Sequence, residues 1–144
     1  MKSSRLTTVR LEESADIMRL REVTMALTDV LKFGSFEKTR TVTAVVELGR
    51  NAIEHGNKGR ARFSLTEIKG RPALGISVLD QGAGIPEGQL SGDVVVAAGT
   101  PGLGLGLRGV KRIADRFEVQ TGSEGTRVDA VFAGPAPSDD TETL

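Results

Sequence analysis

Residues 35–56, SFEKTRTVTAVVELGRNAIEHG, decide how the rest of the chain is interpreted, because apolar residues recur in them at helical spacing. Ser35 is a predicted N-cap, and Glu37 follows in the first turn, where the helix dipole favours an acid. Gly56 is predicted to stop this helix. The apolar stripe that we expect to face the core consists of Val42, Val45, Val46, Gly49 and Ile53.

A line of polar side chains accompanies the stripe. At about 100° per residue, Glu47, Asn51 and His55 share one helix face, nearly opposite Val42 and Val46. Mg²⁺ prefers oxygen ligands and keeps several waters, so one asparagine and a nucleotide's phosphates could hold it while the glutamate accepts a proton. An ordinary solvated helix face shows the same pattern, and that alternative stays open at this point.

A second candidate element is the turn at residues 80–85, DQGAGI, which follows an apolar strand. The acid, Asp80, stands at the mouth of that strand and can accept a hydrogen bond from the exocyclic amine of adenine. Gly82 and Gly84 would let the backbone pass close to a flat base. A surface turn that selects Asp and Gly for conformational reasons is the alternative.

The third element is the glycine run GLGLGLRG at residues 102–109, which precedes a predicted helix. Such a run exposes backbone N–H groups at the positive end of the helix, where phosphate binds. Gly104-x-Gly106-x-x-Gly109 also matches a dinucleotide fingerprint, with residues 94–96 as a preceding strand and Glu124 as a ribose acid. Too little chain remains for a doubly wound sheet, and no P-loop spacing occurs. A plain flexible loop is the last alternative.

Length and composition narrow the classes of protein. A chain of 144 residues with 38% hydrophobic and 26% charged residues suits one soluble domain. Equal numbers of basic and acidic residues, 19 each, and few aromatic residues argue against nucleic acid or a membrane as partner. The absence of cysteine excludes disulfides and thiolate sites. Since no signal peptide is evident, we expect a cytoplasmic protein.

The chain divides into alternating helices and strands. Strands are predicted at 5–11, 61–68, 73–79, 117–121 and 126–132, with turns at 69–72 and 122–125. Helices are predicted from Ser14 to about Phe33, from 35 to 56 and from 107 to 115. Residues 81–106 have the length of an active-site lid, and we expect the segment after Gly134 to be a disordered tail. These elements predict a single domain, residues 1–133, folded as an α/β (α+β) two-layer sandwich with a mixed, largely antiparallel sheet and about three helices on one face.

Several motifs follow one another in a fixed order: Glu47-x-x-x-Asn51, Asp80-x-Gly82-x-Gly84, a lid with the glycine run, and Gly125-Thr126 before the last strand. Together they resemble the N, G1 and G2 boxes of the GHKL ATPases. The wording ELGRN (47–51), DQGAGI (80–85) and GLGLGLRGVKRIAD (102–115) looks most like the RsbT-type switch serine/threonine kinases of bacterial stress signalling. His55-Gly56 looks more like the related anti-sigma-factor kinases. The apolar run at 94–98 departs from an exposed lid and indicates either an ordered strand or a docking surface.

This resemblance implies ATP and Mg²⁺ as cofactors and the GHKL fold. It makes Glu47 the general base, Asn51 the Mg²⁺ ligand, and Asp80 with Thr126 the adenine-binding pair. The implied nucleotide-binding residues are Asn51, His55, Asp80, Gly82, Gly84, Ile85, Gly102, Leu103, Gly104, Leu105, Gly106 and Thr126.

The implied substrate is a serine or threonine on a STAS-domain protein, as in stressosome partner switching, and a PP2C-type phosphatase or a sigma-factor-related protein is a further implied partner. A histidine kinase is not expected, because the one histidine lies within the ATP motif. The non-enzyme alternative is an ATP-gated binding module such as an anti-sigma factor or phosphatase activator.

Overall fold

The computed structural model of the chain describes residues 4–82 and 106–135. In chain order its elements are β1 (Ser4–Leu11), α1 (Asp16–Val30), α2 (Ser35–His55), β2 (Gly59–Ile68), β3 (Arg71–Asp80), α3 (Gly106–Ile113), β4 (Arg116–Gly122) and β5 (Gly125–Ala133). Each of these was predicted to within a few residues of its observed ends. The predicted lid, its apolar run at 94–98 and the tail beyond residue 135 lie outside the described residues.

The five described strands form one sheet in the order β1-β2-β3-β5-β4, and every neighbouring pair is antiparallel. One face of the sheet packs against the helices around a common core that includes Val9, Leu20, Leu48, Phe63 and Ile76. The predicted two-layer sandwich is therefore confirmed. None of the three described helices has the length and hydrophobicity needed to cross a bilayer.

Successive side chains of a strand point to opposite faces of the sheet, so every second residue faces the helices. In β3 the side chains of Leu74, Ile76 and Val78 are buried on the helix-facing side, and β5 does the same with Val128, Ala130 and Phe132. Because side chains two residues apart share a face, Asp80 and Thr126 also point to the helix side. These two residues lie directly opposite each other at the ends of their strands.

The starts of the first two helices differ from the prediction. Gly34 is the N-cap of α2 in an extended conformation, and Ser35 is already helical, so the predicted serine cap was one residue late. Helix α1 begins at Asp16 rather than Ser14. The Asp16 carboxylate accepts the backbone N–H groups of Glu12 and Glu13 at 2.8 and 2.9 Å. These bonds lower its pKa and fix the turn between β1 and α1.

The turn between β2 and β3 is also tighter than predicted. The two central residues are Lys69 and Gly70, both with positive φ (51° and 78°), whereas the sequence suggested four turn residues. Positive φ at both central positions is typical of the two-residue turn that matches the twist of a hairpin. Arg71 and Pro72 are therefore already part of β3.

Helix α2 is rotated relative to the predicted stripe. The side chains fully buried on it include Thr41, Ala44, Val45, Leu48 and Ala52. Val42 and Val46 are instead half-buried and line a groove beside α1. Small residues lie against the sheet because α2 packs closely on it. Val42 and Val46 lie instead on the side of α2 that faces α1.

This rotation predicts unequal effects of truncating two apolar residues of α2. Leu48→Ala should lower the free energy of unfolding by about 2–5 kcal/mol, since Leu48 is fully buried and its loss leaves a cavity. Val42→Ala, at a half-exposed groove position, should cost less than about 1.5 kcal/mol. Urea unfolding of both variants measures the difference. A larger loss for Val42→Ala would show that the originally predicted stripe faces the core.

Candidate active site

The end of β3 touches the end of α2. The backbone N–H of Gln81, just after β3, donates to the carbonyl of Asn57 at 2.7 Å. Asn57 lies two residues beyond the last residue of α2. The Glu/Asn helix and the Asp-x-Gly turn, which are 29 residues apart between Asn51 and Asp80, are thereby joined at one corner of the domain.

Three glycines allow this contact by closing around Asp80. A Cβ on Gly56 would lie 2.5 Å from the Asp80 Cγ atom, and one on Gly82 would lie 2.9 Å from both the Gly56 Cα atom and the His55 carbonyl oxygen. Gly125, with φ of 142°, leaves only 2.1 Å between an added Cβ and the Asp80 carbonyl oxygen. No side chain fits at these distances, so backbone packs directly on backbone.

The Asp80 carboxylate is held in a defined orientation. Its Oδ1 atom accepts the backbone N–H of Gly82 at 2.8 Å, as in an Asx turn. Across the sheet stands Thr126, whose hydroxyl is 2.8 Å from that of Thr121. The structure therefore brings the predicted adenine pair together, with the other carboxylate oxygen of Asp80 unengaged by any described residue.

One flank of α2 faces α3. Arg40, Glu47 and Asn51 are seven and four residues apart, a spacing that aligns them along a single side of the helix. Arg40 donates to the carbonyl of Ile113, at the end of α3, over 2.9 Å. The flank that carries Glu47 and Asn51 is therefore turned toward the helix that follows the glycine run, rather than away from the core as predicted.

Two polar groups on this flank lack the partners that buried groups normally have. The Nδ2 atom of Asn51 is buried without a hydrogen-bond partner. Glu47 is only 5% exposed, and no hydrogen bond or ion pair to its carboxylate occurs within residues 4–82 and 106–135. Burying such groups unpaired is unfavourable, so Glu47 and Asn51 do not form an ordinary solvated helix face.

Glu47 also borders a groove between α1 and α2. This groove has a volume of about 370 Å³ and an apolar floor that includes Ile17, Met25, Val42 and Val46. Its edges carry the basic side chains of Arg21, Lys38 and Arg50. The carboxylate thus lies at the boundary between an outward-facing groove and the flank that faces α3.

The remaining predicted site residues are placed less tightly or lie outside the described ranges. His55, at the end of α2, has a half-exposed side chain near Glu54, and the structure does not bring it onto the buried flank. Gly106 is the first residue of α3, with φ of 56°. The predicted residues outside the described ranges are Gly84, Ile85, Gly102, Leu103, Gly104 and Leu105.

Residues whose contacts were not predicted from the sequence complete the corner. Gly56 was predicted only to stop a helix, yet its missing side chain is what admits Asp80. Arg40 was not considered, and it ties α2 to α3. Gly125 was part of the family resemblance together with Thr126, but its close approach to Asp80 was not predicted.

Among the described residues, no cluster of three or more His, Cys, Asp or Glu side chains is arranged to hold a metal ion. A divalent cation at this site would need oxygen atoms from elsewhere, as magnesium does when it binds through nucleotide phosphates.

The match to known proteins agrees with this arrangement. A model of the histidine kinase-like ATPase domain covers residues 13–132, which include every described element except β1 and the last residue of β5. The chain belongs to this family. The resemblance of the three sequence motifs to the GHKL ATPases is thereby confirmed. Membership of this family implies that the domain uses ATP.

The chain is also similar to the serine/threonine-protein kinase RsbT of Bacillus subtilis (strain 168). The two are 34% identical over 125 residues, which cover 85% of this chain and 92% of that kinase. The predictions of an RsbT-type relationship and of a serine/threonine protein kinase are confirmed by this similarity.

Among solved structures, the chain is similar to a histidine kinase domain from the blue-light activated histidine kinase of Erythrobacter litoralis EL346. The identity is 21% and the TM-score is 0.49, and the match covers 82% of this chain and 63% of that domain. The chain thus spans less than two thirds of that domain's length.

The two glycines that flank the β4–β5 turn provide a matched test of the corner. Gly125→Ala should lower the free energy of unfolding by about 1–3 kcal/mol and weaken nucleotide binding, because its Cβ would collide with the Asp80 backbone at a left-handed φ. Gly122→Ala should change stability by less than about 0.5 kcal/mol, since nothing lies within 4 Å. Urea unfolding with calorimetry checks both; equal effects would contradict the packing described.

Proposed function

We propose that this protein is an ATP-dependent serine/threonine protein kinase that phosphorylates a STAS-domain regulatory protein in cytoplasmic partner switching, in stress or sigma-factor signalling. The observation that carries the proposal is the buried, unpartnered Glu47 one helical turn from Asn51, between the α3-facing flank and an open groove. The similarity to the serine/threonine-protein kinase RsbT supports a protein substrate, and its STAS class is what the resemblance of the sequence motifs implies. A PP2C-type phosphatase or a sigma-factor-related protein is a further proposed partner.

The described residues fit ATP and Mg²⁺. The two ends of an asparagine amide exchange by a half-turn, so the buried, unpaired position of Asn51 can present Oδ1 to a cation. Asp80 has a carboxylate oxygen for the adenine amine, and Thr126 is beside it. Bound Mg²⁺ would neutralise phosphate charge, which is the main electrostatic requirement of phosphoryl transfer.

Glu47 supplies the proton acceptor in this proposal. As a serine or threonine oxygen bonds to the γ-phosphorus and the bond to the ADP oxygen breaks, Glu47 takes the hydroxyl proton. Both Glu47 and Asn51 belong to α2, a 21-residue helix packed on the sheet, α1 and α3. A rigid helix holds the base and the metal ligand at a fixed separation of about 6 Å along its axis.

The groove between α1 and α2 is the proposed approach for the protein substrate. Its apolar floor can take a side chain next to the phosphorylated residue, and the basic groups of Arg21 and Arg50 favour an acidic segment. Lys38 is already paired with Asp29 at 2.7 Å. A hydroxyl that enters this groove reaches Glu47 without passing through the nucleotide-binding corner.

Calorimetry with Mg-ATP, ADP and NAD tests nucleotide choice. We expect Mg-ATP and ADP to bind and NAD not to bind. Asn51→Ala should weaken Mg-ATP binding about tenfold or more and remove its dependence on Mg²⁺, because a charge-assisted contact is lost. Asn57→Ala, an exposed residue just past the same helix, serves as control. NAD binding in preference to ATP would refute the assignment.

Phosphate transfer to a STAS-domain protein tests the catalytic step. Glu47→Gln should reduce transfer about 10²- to 10⁴-fold with ADP affinity unchanged, since the base is lost but the shape is kept. Glu54→Gln, on the exposed side of α2, should retain activity. If the unaltered protein binds ATP and its partner but never transfers phosphate, it is an ATP-gated binding module and not a kinase.

A further inference from the structure

The sheet face opposite the helices carries a group of arginines. Arg60 and Arg62 alternate along β2 with Ala61 and Phe63, whose side chains are buried under the helices, so both arginines point to the other side. Arg5 of β1 lies opposite Ser64, and Arg127 of β5 lies opposite Leu79. We call Arg5, Arg60, Arg62 and Arg127 the arginine face.

These four side chains lie close together. Arg60 and Arg127 flank Leu79 from the two neighbouring strands, which puts their Cα atoms about 10 Å apart. Arg60 and Arg62 are about 7 Å apart along β2. Burial lowers the pKa of Arg62, and the positive charges of Arg60, Arg5 and Arg127 lower it further.

Nearby acids neutralise only part of this charge. The Asp129 carboxylate accepts hydrogen bonds from the Arg127 guanidinium at 2.9 Å and from the Ser77 hydroxyl. The residue opposite Asp129 on β4 is another acid, Glu118. Arg10 of β1 lies directly opposite Arg60 on the same face, and it is paired with Glu13 and Asp16. Within the described residues Arg5, Arg60 and Arg62 have no ion pair.

A shallow channel runs between these arginines. On this face β3 presents Ala73 and Gly75, which are buried, followed by Ser77 and Leu79, which are half-buried. Strands β2 and β5 border it on either side, with Arg60 and Arg62 on one border and Arg127 on the other. Over Ser77 and Leu79 the two borders are about 10 Å apart, which leaves room for one extended polypeptide segment between their side chains.

We propose that the arginine face binds an extended acidic segment of a partner protein, which lies along β3. Arginine presents a planar fork of N–H donors that matches a carboxylate with two parallel hydrogen bonds. The spacing of Arg60 and Arg62 equals that of side chains two residues apart in an extended segment, so carboxylates at alternate positions meet both. The partner is thus recognised by charge and by extended shape.

Other occupants suit this surface less well. A second copy of the chain would oppose arginines with arginines, a repulsive arrangement. Single-stranded nucleic acid needs aromatic side chains for stacking, and the arginine face and its channel offer none. An anionic membrane would also bind basic groups, but insertion needs exposed apolar side chains, and Leu79 between Arg60 and Arg127 is half-buried.

This surface is independent of the proposed kinase site. Asp80, Asn51 and Glu47 are on the helix-facing side of the sheet, whereas the arginine face is on the reverse side. A partner held along β3 therefore leaves the nucleotide corner and the α1–α2 groove accessible. Failure of phosphate transfer would not affect this proposal, and failure of acidic-segment binding would leave the kinase proposal standing.

The test uses a fluorescent synthetic peptide of alternating glutamate and serine and measures its anisotropy with the full chain. We expect binding that weakens as salt rises and that persists with saturating Mg-ADP. Arg60→Gln/Arg62→Gln should weaken binding about tenfold or more. Arg19→Gln/Lys69→Gln, which removes the same charge from exposed positions elsewhere, should leave it unchanged.

A second variant guards against misfolding. Arg5→Gln alters one exposed residue of the edge strand and should weaken peptide binding about threefold, with an unchanged thermal melting curve. Amide chemical shifts of the complex should change along β2, β3 and β5 and not along α2.

Several results would overturn the proposal. These are no peptide binding, equal binding by both double variants, or displacement of the peptide by Mg-ADP. Tighter binding of poly-uridylate, or of vesicles containing phosphatidylserine, would assign the face to nucleic acid or membrane instead. Binding that appears only after Asp139, Asp140 and Glu142 are changed to amides would assign it to the chain's own acidic segment.

Discussion

Backbone packing around Asp80 is the constraint on which the arrangement of the domain depends. Gly56, Gly82 and Gly125 come so close to this residue that a single added carbon on any of them would collide with it or with its neighbours. The contact fixes the end of α2 against the ends of β3 and β5. Since a helix is rigid along its axis, Asn51 is thereby held about 7.5 Å from Gly56 along α2. The distance between Asn51 on α2 and Asp80 on β3 is therefore set by the close packing that these three glycines permit.

Much of this could be predicted from sequence because the signals are local. The strands have alternating residues, the hairpins have glycine-containing turns, and the order of three motifs resembles one family. Helix rotation was predicted less well. Periodicity shows that Val42, Val45 and Val46 are apolar, but α2 contacts the sheet, α1 and α3, and periodicity alone does not assign each side chain to one of these three surfaces. The sheet contact uses Thr41, Ala44 and Ala52, whose small size permits close packing.

Contacts between distant parts of the chain are the part that sequence reasoning missed. Gly56 contacts Asp80, 24 residues away, and Arg40 contacts Ile113, 73 residues away. No local sequence pattern indicates either contact. Composition concealed the arginine face in a similar way, since 19 basic and 19 acidic residues cancel in the total. The alternation of Arg60 and Arg62 with Ala61 and Phe63 did carry the information. It becomes visible as a surface only when β1 and β5 supply Arg5 and Arg127.

The burial of Glu47 connects fold and function most directly. An acid at this position contributes no described contact to the fold, and a buried carboxylate without a partner opposes folding. A chain selected for stability alone would place an apolar residue there, next to Val46 and Leu48. In the proposed reaction the same position is useful, because Glu47 borders the groove from which a substrate hydroxyl would approach it. The opposing demands of stability and catalysis on α2 therefore meet at this one residue, and the surrounding sandwich compensates for it.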